Sequence, residues 1–329
     1  MRVLLWLVML AAVLWGGWWW FGARTLEREA AGFFAAQEAA GRVAHYESVA
    51  VQGFPNRLDL TVTGPVLYDP WSGWGWRGPF AQMLALSYRP WHVIAALPPG
   101  QVVTTPFGDV TVEAGRLRAS VVVVPGPALT LDRVTAVGEG VTARGFGQEW
   151  RAEGLRIATR QSAATANGHD LGIEAGGLAP DPAVLAALPA GVSLPGIIDS
   201  LRLDLELALS APIDRHAGRT RPEVTALRLR EVRLVWGDMA IHGTGQVGPG
   251  PSGLAEGRIG FRVTDWRAAL AAAVAAGLVA PETAPTWERA LALLAASGDD
   301  PDTVDLPLYF QFGMMSLGPI PLGPAPRLR

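Results

Sequence analysis

Apolar residues follow two patterns along this chain: one unbroken stretch at the start and a long region of alternation after it. Residues 3–22 contain no charged residue and no proline. About 20 helical residues rising ~1.5 Å each match the ~30 Å hydrocarbon core of a bilayer, so the stretch predicts one transmembrane helix. Its large aromatic side chains are predicted to anchor this helix in the membrane. The predicted anchor residues are Trp6, Trp15, Trp18, Trp19, Trp20 and Phe21.

A cleaved signal peptide is the alternative interpretation of the same stretch. Cleavage requires small residues directly after the apolar run, whereas the bulky run from Trp18 to Phe21 stands there. The sequence therefore favours an uncleaved signal-anchor. The flanking charges nearly cancel, so the predicted orientation rests on the very short flank before the helix and the long region after it. We expect the short N-terminal flank to lie in the cytoplasm and the bulk of the chain to lie on the opposite side of the membrane.

After a helical continuation predicted over residues 24–41, the chain alternates between apolar and polar positions. This period of two indicates strands with one apolar face and one wet face, which is typical of antiparallel sheets. All these strands can bury their apolar faces only by turning them to a common interior. The interior is predicted to include Leu58, Leu60, Val62, Leu203, Leu205, Leu207, Leu306, Leu308 and Phe310.

Two departures from this alternation predict local features. The apolar phase slips by one residue between Leu229 and Val232, which indicates a β-bulge. Periods near 3.6 predict only a few helices. These are expected over residues 266–278 with Asp265 as N-cap, over about 286–296, and as a short turn over 182–188.

The predicted fold class is mainly β: a curved antiparallel sheet, as an open groove, open barrel or sandwich, with a few short helices and one N-terminal transmembrane helix. The elements divide the chain into four segments. They are a transmembrane signal-anchor over 1–23, a helical linker over 24–45, a β-rich domain over 46–317 and a Pro/Gly-rich tail over 318–329.

Composition narrows the function classes further. The net charge of −3 argues against a broad nucleic-acid surface. The chain has no cysteine, which excludes a disulfide framework, a thiolate metal site and a cysteine nucleophile. All 27 basic residues are arginine, so a nucleophilic lysine is excluded as well.

Candidate chemistry is sparse. None of the five histidines lies four residues from another, and no nucleophile or phosphate-loop motif is present. Asp299, Asp300 and Asp302 are interpreted as a solvated loop, because the glycine and the terminal glutamate of a calcium loop are missing. We therefore predict no catalytic residue, no metal site and no cofactor.

One aromatic cluster has two interpretations. Trp and Tyr side chains could line a ligand mouth or touch a membrane surface, or they could pack as the core of a loop-rich corner, which is the favoured interpretation. The cluster comprises Trp71, Trp74, Trp76, Phe80, Tyr88 and Trp91.

Two segments carry a resemblance to a known family. Gly-Phe-Pro at 53–55 and Tyr-Arg-Pro-Trp-His at 88–92, with their flanks, resemble the Domain of Unknown Function 2125 family of Gram-negative envelope proteins. The C-terminal region 257–324 is distantly similar to AsmA-like proteins, single-pass envelope proteins with long curved sheets that offer lipids an apolar groove. The resemblance implies an inner-membrane location with the bulk of the chain in the periplasm. It implies no catalytic residue.

These observations are compatible with three functions. The favoured hypothesis is a membrane-anchored envelope protein that binds or conducts a lipid or other apolar ligand in its sheet groove. The alternative is a non-catalytic structural or assembly protein whose sheet packs on itself. An anchored hydrolase is disfavoured because no nucleophile–base motif is visible. The expected partners are the membrane and an apolar ligand, without nucleic acid.

Overall fold

A computed structural model describes residues 1–217, 222–318 and 320–328. In this part of the chain the fold is mainly β with antiparallel pairing, and the predicted fold class is confirmed. Contacts divide the chain into two compact units, whereas the sequence treated residues 46–317 as one domain. Unit 1 comprises Met1–Pro125 and Val134–Gly147, and unit 2 comprises Gly126–Arg133 and Gln148–Arg329.

The first element is one continuous helix, α1, over Arg2–Ala39. It is long and apolar enough to cross a membrane, which makes it a candidate membrane anchor or signal sequence. The helix continues past the apolar stretch, as predicted for residues 24–41. Gly41 follows its end with a φ of 79°, a left-handed conformation that glycine adopts without steric cost.

Unit 1 contains ten strands after α1, and β10 begins in the short segment that belongs to unit 2. Their bounds are β1 Val43–His45, β2 Ser48–Gln52, β3 Arg57–Thr63, β4 Val66–Asp69, β5 Trp74–Arg77, β6 Phe80–Leu86, β7 Arg89–Leu97, β8 Gln101–Thr105, β9 Gly108–Val123 and β10 Leu131–Gly145.

The long strand β9 joins two antiparallel ribbons of unit 1. Its first residues pair with β8, which continues through β5 and β4 to β1. Its last residues pair with β7, which continues through β6 and β3 to β2. Helix α1 packs on this unit, where Phe34 is buried with Ala44, Leu60 and Val62. Burial of this apolar surface holds the C-terminal part of α1 against the strands.

Three of the six residues in the aromatic cluster predicted as a packed corner are exposed, so that interpretation is wrong for these three. Trp71 is 89 % exposed, and Trp74 and Tyr88 are exposed as well. Trp76 is partly buried, and its indole Nε1 donates a hydrogen bond of 2.9 Å to the Gln101 side chain. Trp71 and Tyr88 lie in turns, and Trp74 and Trp76 lie on the short strand β5.

Unit 2 is an antiparallel meander in which each strand pairs with the next one along the chain. Its strands are β11 Gln148–Gln161, β12 His169–Gly176, β13 Ser200–Leu209, β14 Val224–Trp236, β15 Met239–Pro249, β16 Ala255–Thr264, β17 Thr303–Gln311, β18 Met314–Leu317 and β19 Ile320–Pro324.

Three helices of unit 2 lie where the sequence predicts them. They are α2 Pro182–Ala186, α3 Trp266–Ala275 and α4 Ala284–Ala296. Helix α3 stops three residues earlier than expected, because Ala276 caps it and Gly277 follows with a φ of 74°. Glycine at this position is favoured because it adopts the left-handed conformation that ends a helix.

The described residues of the Pro/Gly-rich C-terminal segment include one strand. Strand β19 pairs with β18, and Ala255 donates its backbone N–H to the Pro326 carbonyl at 2.8 Å. Ala325 is buried. Residues 319 and 329 of the predicted tail lie outside the described residues.

Asp265 caps α3 as predicted and does so with a φ of 49°. Its Oδ1 accepts the Ala268 N–H at 3.2 Å. We expect Asp265→Ala to lower the free energy of unfolding by about 1 kcal/mol, because an N–H at the helix start loses its acceptor. Asp265→Asn retains an acceptor and tolerates the left-handed backbone, so it should be nearly neutral. Thermal unfolding measures both; equal losses in the two variants would contradict the capping role.

Candidate apolar groove

Six neighbouring strands of unit 2, β12 to β17, share one apolar face. Leu205 of β13 stands opposite Leu171 of β12 and Leu229 of β14. Leu229 stands opposite Gly245, and the same row continues to Ile259 and Leu308. Directly opposite residues in antiparallel strands lie on the same side of a sheet. We call this side of β12–β17 the apolar face.

A second row brings two of the predicted apolar runs together. Leu203 stands opposite Val232, which stands opposite Gly243, and this row ends at Leu306. The register therefore places six of the nine predicted groove residues on the apolar face. They are Leu203, Leu205, Leu207, Leu306, Leu308 and Phe310.

The predicted bulge in β14 is confirmed, and it preserves the apolar face. The register shifts between Leu229 and Val232. Without the extra residue, Val232 and Leu234 would point to the opposite side, because side chains alternate with a period of two. The slip in apolar phase along the sequence is therefore compensated by the backbone.

Helices cover one end of the apolar face. Helix α3 packs near β15 and α4 packs against β17. Trp266, the first residue of α3, lies in a buried cluster with Val263, Val304 and Leu306. The indole Nε1 of Trp266 donates to the Pro301 carbonyl at 3.1 Å, so its polar atom is satisfied although the ring is buried.

The C-terminal segment covers a second part of this face. Phe310 lies in a separate buried cluster with Val247, Ala255 and Ala325. The structure therefore assigns Leu306 and Phe310 to two different clusters, although both lie on β17.

Beside these two covers, on β13, lie three leucines of the apolar face, one of them buried and two partly buried. Leu203, Leu205 and Leu207 belong to none of the buried clusters found among the described residues. Leu205 is 9 % exposed, while Leu203 and Leu207 are partly exposed. We call Leu203, Leu205 and Leu207, with their partners Leu171, Ile173 and Leu227, the central leucine patch.

The other three predicted groove residues lie in unit 1. Leu58, Leu60 and Val62 are buried on β3, on the side that faces α1, and the side chain of Leu58 is within contact distance of Gly22. The structure thus distributes the nine residues over several cores and the central leucine patch. Their use as one ligand groove stays a prediction.

The predicted anchor residues are mostly exposed along α1. Trp6, Trp18, Trp20 and Phe21 project from the helix without cover. Trp15 and Trp19 instead donate their indole N–H groups to unit 1, to the carbonyls of Pro55 and Arg57. The first four are therefore free to contact lipid, and the other two connect the helix to the strands.

The opposite face of unit 2 carries a charged network that the sequence did not predict. The bulge directs Arg230 toward three carboxylates on neighbouring strands. Its guanidinium contacts Asp170 at 2.7 Å, Glu206 at 3.1 Å and Asp204 at 3.5 Å. In the sequence, the network is signalled only by the adjacent polar residues Arg230 and Glu231 at the phase slip. These two residues do not identify the carboxylates that Arg230 contacts.

Glu206 is the most buried carboxylate of this network, because the loop before β12 folds over it. Ser162 donates its hydroxyl to Glu206 Oε1 at 2.9 Å, and the Thr165 hydroxyl donates to the same oxygen. These two hydrogen bonds, with that from Arg230, lower the pKa of Glu206 below its ordinary value despite its burial. Glu206 is therefore held in its ionised form, and the contacts of Arg230 join β12, β13 and β14.

His169 lies on the apolar side beside Leu207, its partner in β13. Burial lowers the pKa of His169 below its ordinary value of 6.5, and the carboxylates of Asp170 and Asp132 oppose this shift only in part. The imidazole is therefore held in its neutral form, with Nδ1 3.4 Å from the Thr159 hydroxyl.

This lowered pKa predicts a pH-dependent stability. The pKa of His169 is lower in the folded chain than in the unfolded chain, so the unfolded chain binds a proton more readily near pH 6.5. The free energy of unfolding therefore falls as the pH drops through that value. We expect unit 2 of the wild type to lose stability between about pH 7.5 and about pH 5.5, and His169→Gln to show a shallower slope. Thermal unfolding at several pH values measures the slopes; identical slopes would contradict this assignment.

In the acidic loop after α4, predicted as a solvated loop, Asp299, Asp300 and Asp302 are exposed. Asp300 accepts hydrogen bonds from the Asp302 backbone N–H and the Thr303 hydroxyl. These contacts lower the pKa of Asp300 below its usual range. Within the described residues, no group of three His, Cys, Asp or Glu side chains is arranged to hold a metal ion.

These features define the class of the molecule: a mainly β protein preceded by one apolar helix that is long enough to cross a membrane. The chain belongs to the Domain of Unknown Function 2125 family, described as an uncharacterized protein conserved in bacteria, whose model matches residues 19–326. No curated protein and no solved structure is significantly similar to it. The AsmA-like resemblance therefore finds no support among these comparisons.

Proposed function

We propose that this chain is a membrane-anchored envelope protein that holds an apolar ligand of the chemistry of an acyl chain on the central leucine patch. The function is binding, and the proposal includes no catalytic step. In this proposal α1 anchors the protein in the inner membrane, and units 1 and 2 lie in the periplasm.

The uncovered helix surface supports the membrane anchor. Trp6, Trp18, Trp20 and Phe21 are exposed, as are the aliphatic side chains around them. In water this surface would carry a large hydrophobic penalty, whereas hydrocarbon solvates it. Arg24, Glu27 and Arg28 follow directly and suit the polar headgroup region.

The position of the central leucine patch carries the ligand proposal. Helices cover one end of the apolar face and the C-terminal segment covers another part, yet the patch belongs to neither cluster. Its leucines offer no hydrogen-bonding group, so a ligand that binds there must be apolar. An acyl chain fits a row of side chains that spans several adjacent strands.

Crosslinking in the membrane tests the proposal. A phospholipid with a diazirine at the end of its acyl chain would be incorporated into membranes that contain the full chain. After irradiation, labelled peptides would be mapped by mass spectrometry. We expect label on α1, which reports the anchor, and label on β13 and β14, which reports the patch.

Two variants make this experiment specific. Leu205→Glu introduces a charge at the centre of the patch and should abolish labelling of β13 and β14 while α1 is still labelled. Gln246→Glu adds the same charge on the opposite, exposed face of β15 and should leave labelling unchanged. Label confined to α1 in the wild type would contradict the ligand site. An unfolded Leu205→Glu protein would instead indicate a dry, packed core, since a buried unpaired carboxylate costs several kcal/mol.

A further inference from the structure

Two hairpin tips of unit 1 meet beside the last turns of the apolar part of α1. One tip connects β2 to β3 and contains Phe54 and Pro55; the other connects β6 to β7 and contains Ser87 and Tyr88. Ser87 donates both its backbone N–H and its hydroxyl to the Asn56 carbonyl, at 2.9 and 3.0 Å. The two tips therefore form one surface, which we call the tip surface.

Indole hydrogen bonds fix the height of the tip surface along α1. Trp15 Nε1 donates to the Pro55 carbonyl at 3.0 Å, and Trp19 Nε1 donates to the Arg57 carbonyl at 2.5 Å. The ring of Phe54 packs edge-on against Trp19, with centroids 5.4 Å apart. Trp15 lies seven residues before Gly22, the end of the apolar stretch, which corresponds to about 10 Å of helix.

This height places the tip surface at the membrane boundary if α1 spans the bilayer. Backbone carbonyls at that depth need hydrogen-bond donors, because hydrocarbon supplies none, and the two indoles provide them. The exposed side chains of the tips are those that interfaces favour: Phe54 is 61 % exposed, and Leu86 and Tyr88 are exposed with it.

A cationic depression adjoins this surface on the outer side of the strands. Arg57, Leu86 and Arg89 form one cross-strand row at the ends of β3, β6 and β7. They line a depression of about 340 Å³ whose walls include Leu84 and Ile94. Arg57 pairs with Asp59, whereas Arg89 is exposed and forms no ion pair with any residue the structure describes.

We propose that the tip surface inserts into the membrane interface and that the depression binds the phosphate of an anionic phospholipid through Arg89, with Arg57 beside it. This inference rests on the proposed membrane anchor. The Arg57 carbonyl contacts Trp19, three residues or about 5 Å before the end of the apolar stretch. From this depth the long arginine side chains extend their guanidinium groups to the headgroups, where an arginine attracts anionic lipid. Leu86 and Ile94 offer an apolar wall to the first methylenes of the lipid chain.

Insertion is tested by fluorescence on the full chain in liposomes. The chain has no cysteine, so Phe54→Cys gives a single labelling site for an environment-sensitive dye. Phe107→Cys is the matched control, because Phe107 is also an exposed phenylalanine. It directly precedes β9, whose other end pairs with β7 near the tip surface. The 16 residues of β9 span about 50 Å at 3.3 Å per residue. We expect spin-labelled lipids to quench the dye at position 54 and to leave position 107 unaffected.

Headgroup binding is tested by native mass spectrometry of the full chain in detergent with phosphatidylglycerol. We expect Arg89→Gln to weaken lipid retention about fivefold, the effect of one interfacial arginine. Arg118 is an exposed arginine on β9, on the side of the strands that carries Ile94. The control variant Arg118→Gln should therefore retain lipid like the wild type. Phosphatidylcholine should bind more weakly. Competition by millimolar inorganic phosphate alone would overturn the lipid assignment.

The outcomes separate this inference from the anchor on which it rests. Flotation of the liposomes reports the anchor independently of any label. Protein that floats without quenching at position 54 would overturn the insertion of the tip surface, and protein that does not float would overturn the anchor. Equal lipid retention by wild type and Arg89→Gln would overturn the phosphate site.

Discussion

Trp266→Ala is expected to destabilise unit 2 by about 3–5 kcal/mol, the range for removing a large aromatic side chain from a packed core. The ring is 1 % exposed and contacts the cluster of Val263, Val304 and Leu306. Its truncation leaves a cavity between α3 and α4 and removes the donor that satisfies the Pro301 carbonyl. The apolar face would lose the cover at its helical end.

Hydrogen exchange resolved by peptide measures this loss where it occurs. Faster exchange should be concentrated in α3, α4, β16 and β17, which surround Trp266. Trp71→Ala removes the same side chain from a position that is 89 % exposed and should change stability by no more than about 0.5 kcal/mol. Similar effects of the two substitutions would contradict the assignment of Trp266 to a core.

Arg230→Gln is expected to cost about 2 kcal/mol at neutral pH, which is less than a fully buried ion pair because the Arg230 side chain is 37 % exposed. The substitution leaves Glu206, whose side chain is only 7 % exposed, without its cationic partner. Asp170 and Asp204 lose the same partner, and the three carboxylates then repel one another.

Acidification gives this prediction a second readout. The lowered pKa of Glu206 means that its contribution to stability is present above its ordinary value of 4.5 and is lost as pH falls through the folded value. The difference between wild type and Arg230→Gln should therefore shrink in acid. Arg202→Gln is the control: Arg202 is more exposed and lies 3.7 Å from Glu174 and Glu231, so a loss below about 1 kcal/mol is expected. A constant difference at all pH values would contradict the network.

Local patterns in the sequence predicted the elements of unit 2 well. The alternation of Leu203, Leu205 and Leu207 predicts both the strand and the side of the sheet that its leucines occupy. The phase slip before Val232 predicts the bulge, and Asp265 predicts the start of α3. Each feature depends on residues close together in the chain, where side-chain periodicity and capping chemistry decide the structure.

Partners distant in the chain could not be predicted in this way. Arg230 and Asp170 are 60 residues apart, and nothing in the period of either strand pairs them. Trp19 and the Arg57 carbonyl are 38 residues apart, so the sequence assigned this tryptophan to the membrane alone. The division into two units likewise depends on which strands pair, and alternation does not specify pairing.

The aromatic cluster shows a second limit of sequence patterns. Trp71 and Trp74 were interpreted as core because large aromatic side chains dominate cores. Burial, however, requires a surface to pack against, and both rings are exposed, on β5 and in the turn before it. The hydrophobicity of a residue thus predicts that its burial would be favourable. It does not predict whether the fold provides a surface against which the residue can pack.

Native mass spectrometry of the full chain extracted from its membranes tests the central claim most directly, that the apolar face of unit 2 holds an apolar ligand. We predict that the wild type and Gln246→Glu each carry a bound lipid or fatty acid, and that Leu205→Glu is folded and lacks it. A wild-type chain of bare mass, or an equal ligand load on folded Leu205→Glu, would contradict the account.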